Sequence, residues 1–558
     1  MHVKVLNDQI SVSDQITAAD LPEFVDMGVE LIICNRPDGE AEQQETFATI
    51  EEVAKFHGVQ TQYIPFRNGE MSEAHRADFA KAMQSAKKVH AYCRTGNRST
   101  MLWAACSAQL GVSHSEIFDI AKGAGFDASE ALGVSSQPSA TQTDSLTRNF
   151  YEIVIVGAGS GGIAVASSLL KRKPDVRIAI VDPAQEHFYQ PGWTMVGGGV
   201  FSAKSTCRLT QQLLPRGVTW IQQAAEHFAP DEQKLILADG SAVYYAQLIV
   251  APGLKLDWSA IEGLAETLGK NGVTSNYRYD LAPYTWQLVS ELKHGKAVFT
   301  QPPMPIKCAG APQKALYLSA DHWFRQGLND ISIDFYNAGA VLFGVETYVP
   351  ALMEYINKYN AKLHFKHTLI KVDGESQRAW FKTVSESGKE DIVETQFDML
   401  HVCPPQVSPD FIRNSTLADT AGWLDVDPQT LQHTQYPNIW GIGDVMNTPN
   451  AKTMAAARKQ APIVAENVRA AMDGKAPTMG YDGYGSCPLT VERGKIVLAE
   501  FGYEGKLLPS FPCWIINGQI ATKRAWFLKA QVLPTLYWHG MLKGREWMAA
   551  PQEITKQK

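Results

Sequence analysis

Glu152-Ile153-Val154-Ile155-Val156-Gly157-Ala158-Gly159-Ser160-Gly161-Gly162 is the stretch that decides the fold. Its first five residues have the pattern of a buried strand, the next six read G-x-G-x-x-G, and Ile163 to Lys171 continues as a helix. Gly157 permits the tight turn, Gly159 lets a pyrophosphate approach the backbone, and Gly162 lets the helix pack close to the strand. The N–H groups at the helix N-terminus point at the phosphates. A second strand, Arg177 to Val181, ends in Asp182, at a distance suited to a ribose hydroxyl. Strand, glycine turn, helix and acid in this order predict a dinucleotide-binding α/β unit.

Further along, Leu248-Ile249-Val250-Ala251-Pro252-Gly253 reads as a strand and turn of the kind that two-dinucleotide flavoproteins set against their cofactor. Asn438-Ile439-Trp440-Gly441-Ile442-Gly443-Asp444 resembles the late flavoprotein motif whose acid contacts the ribityl chain, although Asp444 could equally cap a helix. FAD is therefore the expected cofactor. A second nucleotide domain is expected around residues 295–400. There Ile331 to Gly344 replaces a full glycine fingerprint, and Phe335 and Asn337 stand where a phosphate needs glycine. That substitution disfavours NAD(P)H as the electron donor and favours one arriving at cysteines.

Residues 1–132 read as a separate small α/β domain, 133–149 as a linker poor in large apolar groups, and 150–558 as the flavoprotein. In the first domain, strands are expected at Glu30–Cys34, Thr61–Pro65 and Lys88–Tyr92, and helices near Ala77–Ser85 and Ser99–Leu110. Between strand and helix lies Cys93-Arg94-Thr95-Gly96-Asn97-Arg98-Ser99. Loop N–H groups, a helix dipole and two arginines there should stabilise an anion and favour the Cys93 thiolate, with Arg98 as the fixed cation. The loop suits phosphate chemistry or persulfide chemistry. Asp38 could act as a general acid or simply shape a turn. Cys34 and Cys106 lie in apolar settings and read as core.

The chain has 558 residues, 45% of them hydrophobic and 20% charged, with a net charge of -7, which argues against nucleic acid as a partner. Eight cysteines are too few for a disulfide framework in a chain of this length, so any disulfide is expected to be catalytic. The first residues lack the pattern of a secretory signal and no apolar run is long enough to span a bilayer. The expected compartment is cytoplasmic, and no metal site is expected.

Two cysteine neighbourhoods follow the glycine turn: Lys307-Cys308-Ala309-Gly310-Ala311-Pro312-Gln313-Lys314 and Tyr481-Asp482-Gly483-Tyr484-Gly485-Ser486-Cys487-Pro488. Together with Asp182-Pro183, His187 to Pro191, Thr430 to His433, Gly441 to Asp444 and Lys452-Thr453, they make residues 151–558 resemble flavin-dependent sulfide:quinone oxidoreductases, in the branch that includes mitochondrial members. The resemblance implies that Cys308 and Cys487 form a redox disulfide. Sulfide would open it, leaving a persulfide on Cys487 and a thiolate on Cys308 facing FAD, with Lys307 as a nearby cation. Electrons would reach ubiquinone or another quinone, and the sulfane sulfur would leave to glutathione, sulfite or another sulfide. The same resemblance implies FAD contacts at Ser160, Gly161, Asp182, Gln190, Ala225, Asp444, Lys452 and Thr453. Cys207, Cys403 and Cys513 match no motif and read as ordinary buried cysteines.

A quinone substrate implies a membrane surface, on the inner face of which the protein would be peripheral. The mixed aromatic, leucine and lysine stretch Trp526 to Lys543 suits a helix lying on a bilayer, or one packed on the protein. The first domain, through Asn35-Arg36-Pro37-Asp38-Gly39-Glu40 and the Cys93 loop, resembles the phosphatase-like, beta-lactamase hydrolase-like family found beside sulfide-detoxifying enzymes. Four residues separate Cys93 from Arg98, one fewer than in tyrosine phosphatases and as in rhodanese-like loops. This implies a sulfurtransferase exchanging sulfur with thiosulfate or a persulfide. The alternatives are an NADH:quinone reductase carrying a tyrosine-phosphatase-like domain, and a redox-sensing scaffold.

Overall fold

The computed structural model describes residues 3–41, 44–67, 70–126, 128, 131, 149–384 and 388–554. The expected linker, 133–149, lies outside them except for Asn149. The chain divides into two compact units, with the main break between Arg148 and Asn149.

The first unit is a five-stranded sheet of β1 (Lys4–Val5), β2 (Ile10–Ser13), β3 (Leu31–Cys34), β4 (Gln60–Tyr63) and β5 (Val89–Tyr92) in the order β1-β2-β5-β3-β4. Only β1 runs antiparallel to its neighbour. Both faces are covered, as a parallel sheet requires. Leu31 and Ile33 of β3 join one apolar cluster, Ile32 and Cys34 the other. The helix α1 (Asn97–Gln109) follows β5, so the Cys93 loop sits at the carboxyl end of a central strand. It starts two residues before the sequence suggests, because Gly96 adopts a left-handed conformation (φ 85°) and turns the chain straight into the helix.

The second unit opens with β6 (Phe150–Val156), the helix α2 (Ser160–Arg172) and β7 (Ile178–Val181). α2 begins at Ser160, so the last two glycines of the fingerprint lie inside its first turn. A Cβ on Gly162 would sit 1.8 Å from the Gly157 carbonyl oxygen, and one on Gly157 would sit 2.4 Å from that of Ala251. Close backbone approach thus demands glycine at both places. β6 pairs in parallel with β7 and with the strand Ala242–Val250, whose other parallel neighbour is Ile439–Gly441. Gly253 and Asp444 follow these two strands and arrive beside the glycine turn.

A second, all-parallel sheet holds five strands, among them Gly295–Gln301, Ile331–Asn337 and Met399–His401. The helix α3 (Ala311–Arg325) leaves this layer and packs on an antiparallel hairpin, Gly485–Glu492 with Lys495–Phe501. The C-terminal stretch is not one helix. Helical turns Lys523–Phe527 and Leu533–His539 flank a π-helical segment, Leu528–Val532. Tyr537, Trp538, Met541 and Leu542 are buried in the core of the flavoprotein layer, while Phe527 is exposed. Among the described residues, no helix is long and apolar enough to cross a membrane.

Candidate active sites

The packing of α3 on the hairpin carries Cys308, three residues before the helix, to Cys487 on its edge. Their Sγ atoms lie 3.4 Å apart. Cys308 has φ 50°, a left-handed conformation that an L-residue adopts only at a cost of about 1–2 kcal/mol. It is held there by bonds from its N–H to the Lys452 carbonyl and from the Ala311 N–H to its own carbonyl. Gly310 makes the approach possible, since a Cβ there would stand 2.6 Å from Cys487 Sγ.

The cation at this site is Lys314 rather than Lys307. Lys314 Nζ donates to Cys308 Sγ over 2.9 Å, whereas Lys307 Nζ points to Gln190 Oε1, 2.6 Å away. On α3 the lysine reaches back one helical turn past the N-terminus, which spacing alone does not reveal. The Cys308 thiol is held well below its ordinary value, first by the hydrogen bond with Cys487 and then, against burial, by Lys314. Cys487, donor to Cys308 and buried, is pushed well above its own. Lys529, from the π-helical segment, is a second buried lysine here. Burial and the like charge of Lys314 bring it down to about 7. Cys403 is buried, as expected of a core cysteine, but Cys207 is half-buried and Cys513 exposed. Cys207 opens a short strand, Cys207–Leu209, and Cys513 lies in a turn, so neither reaches the interior.

Cys308 and Lys314 line a cavity of about 860 Å³ that also takes in the glycine turn. Gly159, Ser160, Gly161, Gln190, Gly253, Asp444, Lys452 and Thr453 also line it. Gly157 and Gly162 stand behind it as backbone contacts. Asp182 is engaged by the turn itself, accepting the Ala158 N–H at 2.6 Å and the Ala184 N–H at 2.7 Å. Ala225 opens the strand Ala225–Ala229 and does not line the cavity. Asp444 caps no helix; burial raises its carboxyl, offset in part by Lys452 and Lys307. Lys452 Nζ bonds the Asp444 and Met446 carbonyls, and burial lowers it to about 8 despite Asp444.

These residues fit FAD. Open space above Gly159, the first N–H groups of α2 and a cavity of this size suit a flavin dinucleotide. Ser160 is fixed by a feature invisible in the sequence. Its Oγ lies 2.8 Å from Tyr537 Oη, which lies 2.6 Å from His187 Nε2. His187 Nδ1 faces the Ala158 carbonyl and must donate, and burial brings the ring down to about 4, so Nε2 accepts from Tyr537. The proton of Ser160 is therefore directed to Tyr537. The C-terminal stretch thus pins the turn.

In the second sheet, the turn after Ile331–Asn337 is tied by Asn337. Its Oδ1 accepts the Gly339 N–H and its Nδ2 donates to the Val341 carbonyl. A side chain fills the space where a glycine turn would admit pyrophosphate.

In the first unit Cys93 is buried at the foot of α1. Arg98 is buried too, and Glu40, which the sequence did not single out, takes both of its terminal nitrogens: Nη1 at 2.7 Å and Nη2 at 2.8 Å. Nη1 also donates to the Phe66 carbonyl. Glu40 accepts a further bond from Arg36 Nε at 3.0 Å. Burial would raise the Glu40 carboxyl, but Arg98 and Arg36 outweigh it and hold it below its ordinary value. Asp38 shapes the turn: its Oδ1 accepts the Phe47 N–H. Cys34 and Cys106 are buried, and burial pushes each thiol up to about 11.

Comparison with known proteins places these geometries. Residues 2–110 match the phosphatase-like domain of beta-lactamase hydrolase-like proteins, and residues 151–287 the pyridine nucleotide-disulphide oxidoreductases. The mitochondrial sulfide:quinone oxidoreductase of Dictyostelium discoideum is 42% identical over 404 residues, 71% of this chain and 87% of its own length. That of Mus musculus is 39% identical over 398 residues, with the same shares. The solved sulfide:quinone oxidoreductase of Aquifex aeolicus superposes with a TM-score of 0.57 at 19% identity, over 72% of this chain and 92% of that one, a likeness of fold.

Proposed function

Since the chain belongs to the sulfide:quinone oxidoreductase family, we propose that it oxidises sulfide at the Cys308–Cys487 pair, and that its first unit is a sulfurtransferase working through Cys93. The observation that carries the first part is the 3.4 Å approach of two thiols with a lysine on one of them, Cys308, which lines the cavity that takes in the glycine turn.

In the oxidised protein the two sulfurs are joined. Hydrosulfide attacks Cys487 Sγ, the S–S bond breaks, and the products are a Cys487 persulfide and a Cys308 thiolate. Lys314 stabilises that leaving thiolate, since its ammonium already bonds Cys308 Sγ. A thiophilic acceptor such as sulfite or a glutathione thiolate then takes the outer sulfur from Cys487, leaving the thiol. Gly159, Ser160, Gly161, Gln190, Asp444, Lys452 and Thr453 would hold FAD, which would supply two-electron acceptance between the thiols and a quinone. Gly310 lets the sulfurs meet, and Asn337 closes the usual nicotinamide route.

A quinone needs a lipid-facing entrance. Phe527 and Met548 line the cavity and are themselves 61% and 56% exposed, which supports peripheral docking on a membrane surface. In the first unit Cys93 would take sulfane sulfur from a donor and pass it to a thiol, with Arg98 as the anion-binding cation. An anaerobic titration tests the main reading. One equivalent of sulfide together with sulfite as sulfur acceptor should bleach the flavin absorbance, and a water-soluble quinone should restore it. Bleaching by NADH but not by sulfide would instead select the NADH:quinone reductase reading.

A further inference from the structure

Four buried polar atoms of cavity-lining residues pair with nothing among the described residues: Asn276 Oδ1 and Nδ2, Thr194 Oγ1 and Trp193 Nε1. Asn276 is 5% exposed, and Thr194 and Trp193 are 6% exposed. The three come from two segments packed together. Trp193 and Thr194 open the short helix Trp193–Gly197, and Asn276 follows the strand Val273–Thr274. A Cβ on Gly197 would stand 2.1 Å from Asn276 Oδ1, so the glycine is what seats the amide against that helix. The Asn276 N–H goes to His401 Nε2 at 2.9 Å, which fixes the backbone there. The next residue, Tyr277, donates from Oη to the Lys307 carbonyl at 3.3 Å and ties the loop to the residue before Cys308. An amide, a hydroxyl and an indole N–H buried without partners carry a cost that a ligand of matching polarity relieves.

We propose that Asn276 and Thr194, with Trp193 beside them, are cofactor-binding residues for the polar edge of the isoalloxazine ring of FAD. This rests on the flavin reading of the cavity and extends it to residues that no sequence motif marks. The cluster offers donors at Nδ2, Oγ1 and Nε1 and an acceptor at Oδ1. The ring edge offers carbonyl acceptors on either side of an N–H donor, so the amide can pair through both of its polar atoms. A quinone presents acceptors only and would leave Oδ1 unpaired. An anion such as sulfite would turn its own lone pairs on Oδ1. The ring is also the part of FAD that exchanges electrons with thiols, and Cys308 lines the same cavity. Negative charge grows on the ring carbonyls when the flavin is reduced, so donors placed on them favour the reduced form.

The test uses the full-length flavoprotein and the variants Asn276→Leu and Thr194→Val, each close in shape to the residue it replaces. FAD release on dilution is followed by the fluorescence of the freed flavin, and the visible absorption of the flavin is recorded at saturating FAD. Asn276→Leu should weaken FAD binding at least about tenfold and Thr194→Val at least about threefold. Each should also shift the flavin absorption bands and lower the reduction potential of the bound flavin. Thr194→Val carries the test alone should Asn276→Leu fail to fold. Affinity within about twofold of the unaltered protein with unchanged bands, as expected were ordered water the only partner of these atoms, overturns the proposal. Weaker binding with unchanged bands overturns it too, since the contacts would then lie elsewhere on the dinucleotide. If the unaltered protein binds no FAD, the flavin reading itself falls, and the proposal with it.

Discussion

Cys308 and Cys93 both sit at the start of a helix next to cations, yet the two sites meet the demand for a stabilised sulfur anion in different ways. At Cys308 a single ammonium touches the sulfur and a second thiol donates to it. At Cys93 the cation is a planar fork whose charge is shared with Glu40, so it acts by direction more than by charge. A lysine placed on sulfur suits a site where charge moves between two sulfurs. A braced arginine suits one that must orient an incoming oxyanion.

The largest expected effect comes from the sulfurs. Cys308→Ser or Cys487→Ser should abolish sulfide-dependent quinone reduction while the flavin stays bound, and should leave sulfur uptake by Cys93 unchanged. Substantial turnover in both variants would erase the contrast. Next is the lysine. In the reduced protein Cys308 should be alkylated by iodoacetamide near pH 7 far faster than Cys487. Lys314→Met should slow this at least about tenfold, the equivalent of about 1.4 kcal/mol on the thiolate. An unchanged rate would mean that Lys314 does not govern the anion. Gly310→Ala should force the sulfurs apart at a cost of about 1–3 kcal/mol in overpacking, read as a lower melting temperature and slower disulfide closure.

The smallest effect concerns what the two units share. Each unit holds a buried imidazole: His90 on β5, brought down to about 3 by burial, and His187 against Ala158, brought down to about 4. Unfolded, each titrates near 6.5, so below that pH the unfolded chain binds more protons. Stability is fully present above about pH 7 and falls as pH drops from about 6.5 toward 4, by about 1.4 kcal/mol per unit for each imidazole. Melting temperatures that stay flat from pH 7 to 4.5 would contradict this.

The α/β class was legible from particular residues. Ile153 to Val156 alternate across a sheet buried on both faces, and the glycines after them are demanded by backbone contacts that no other residue tolerates. The identity of the cation on Cys308 was not legible. Lys307 is the neighbour in sequence, but the left-handed turn at Cys308 throws it toward Gln190 and brings Lys314 back along α3. The C-terminal stretch was ambiguous for a related reason. Its composition suits a bilayer or a core, and the π-helical segment rotates Lys529 inward while Phe527 stays outside.

From sequence alone came the class of the fold and the glycine turn, because these depend on local sterics, and the family likeness, which implied Cys308 and Cys487 as the candidate thiols. Tertiary structure alone decided which lysine meets Cys308, that Tyr537 directs the Ser160 proton, and that Glu40 braces Arg98. Each of these is a contact between segments distant in the chain, and only the packing of one element on another determines which side chains share a low-dielectric space.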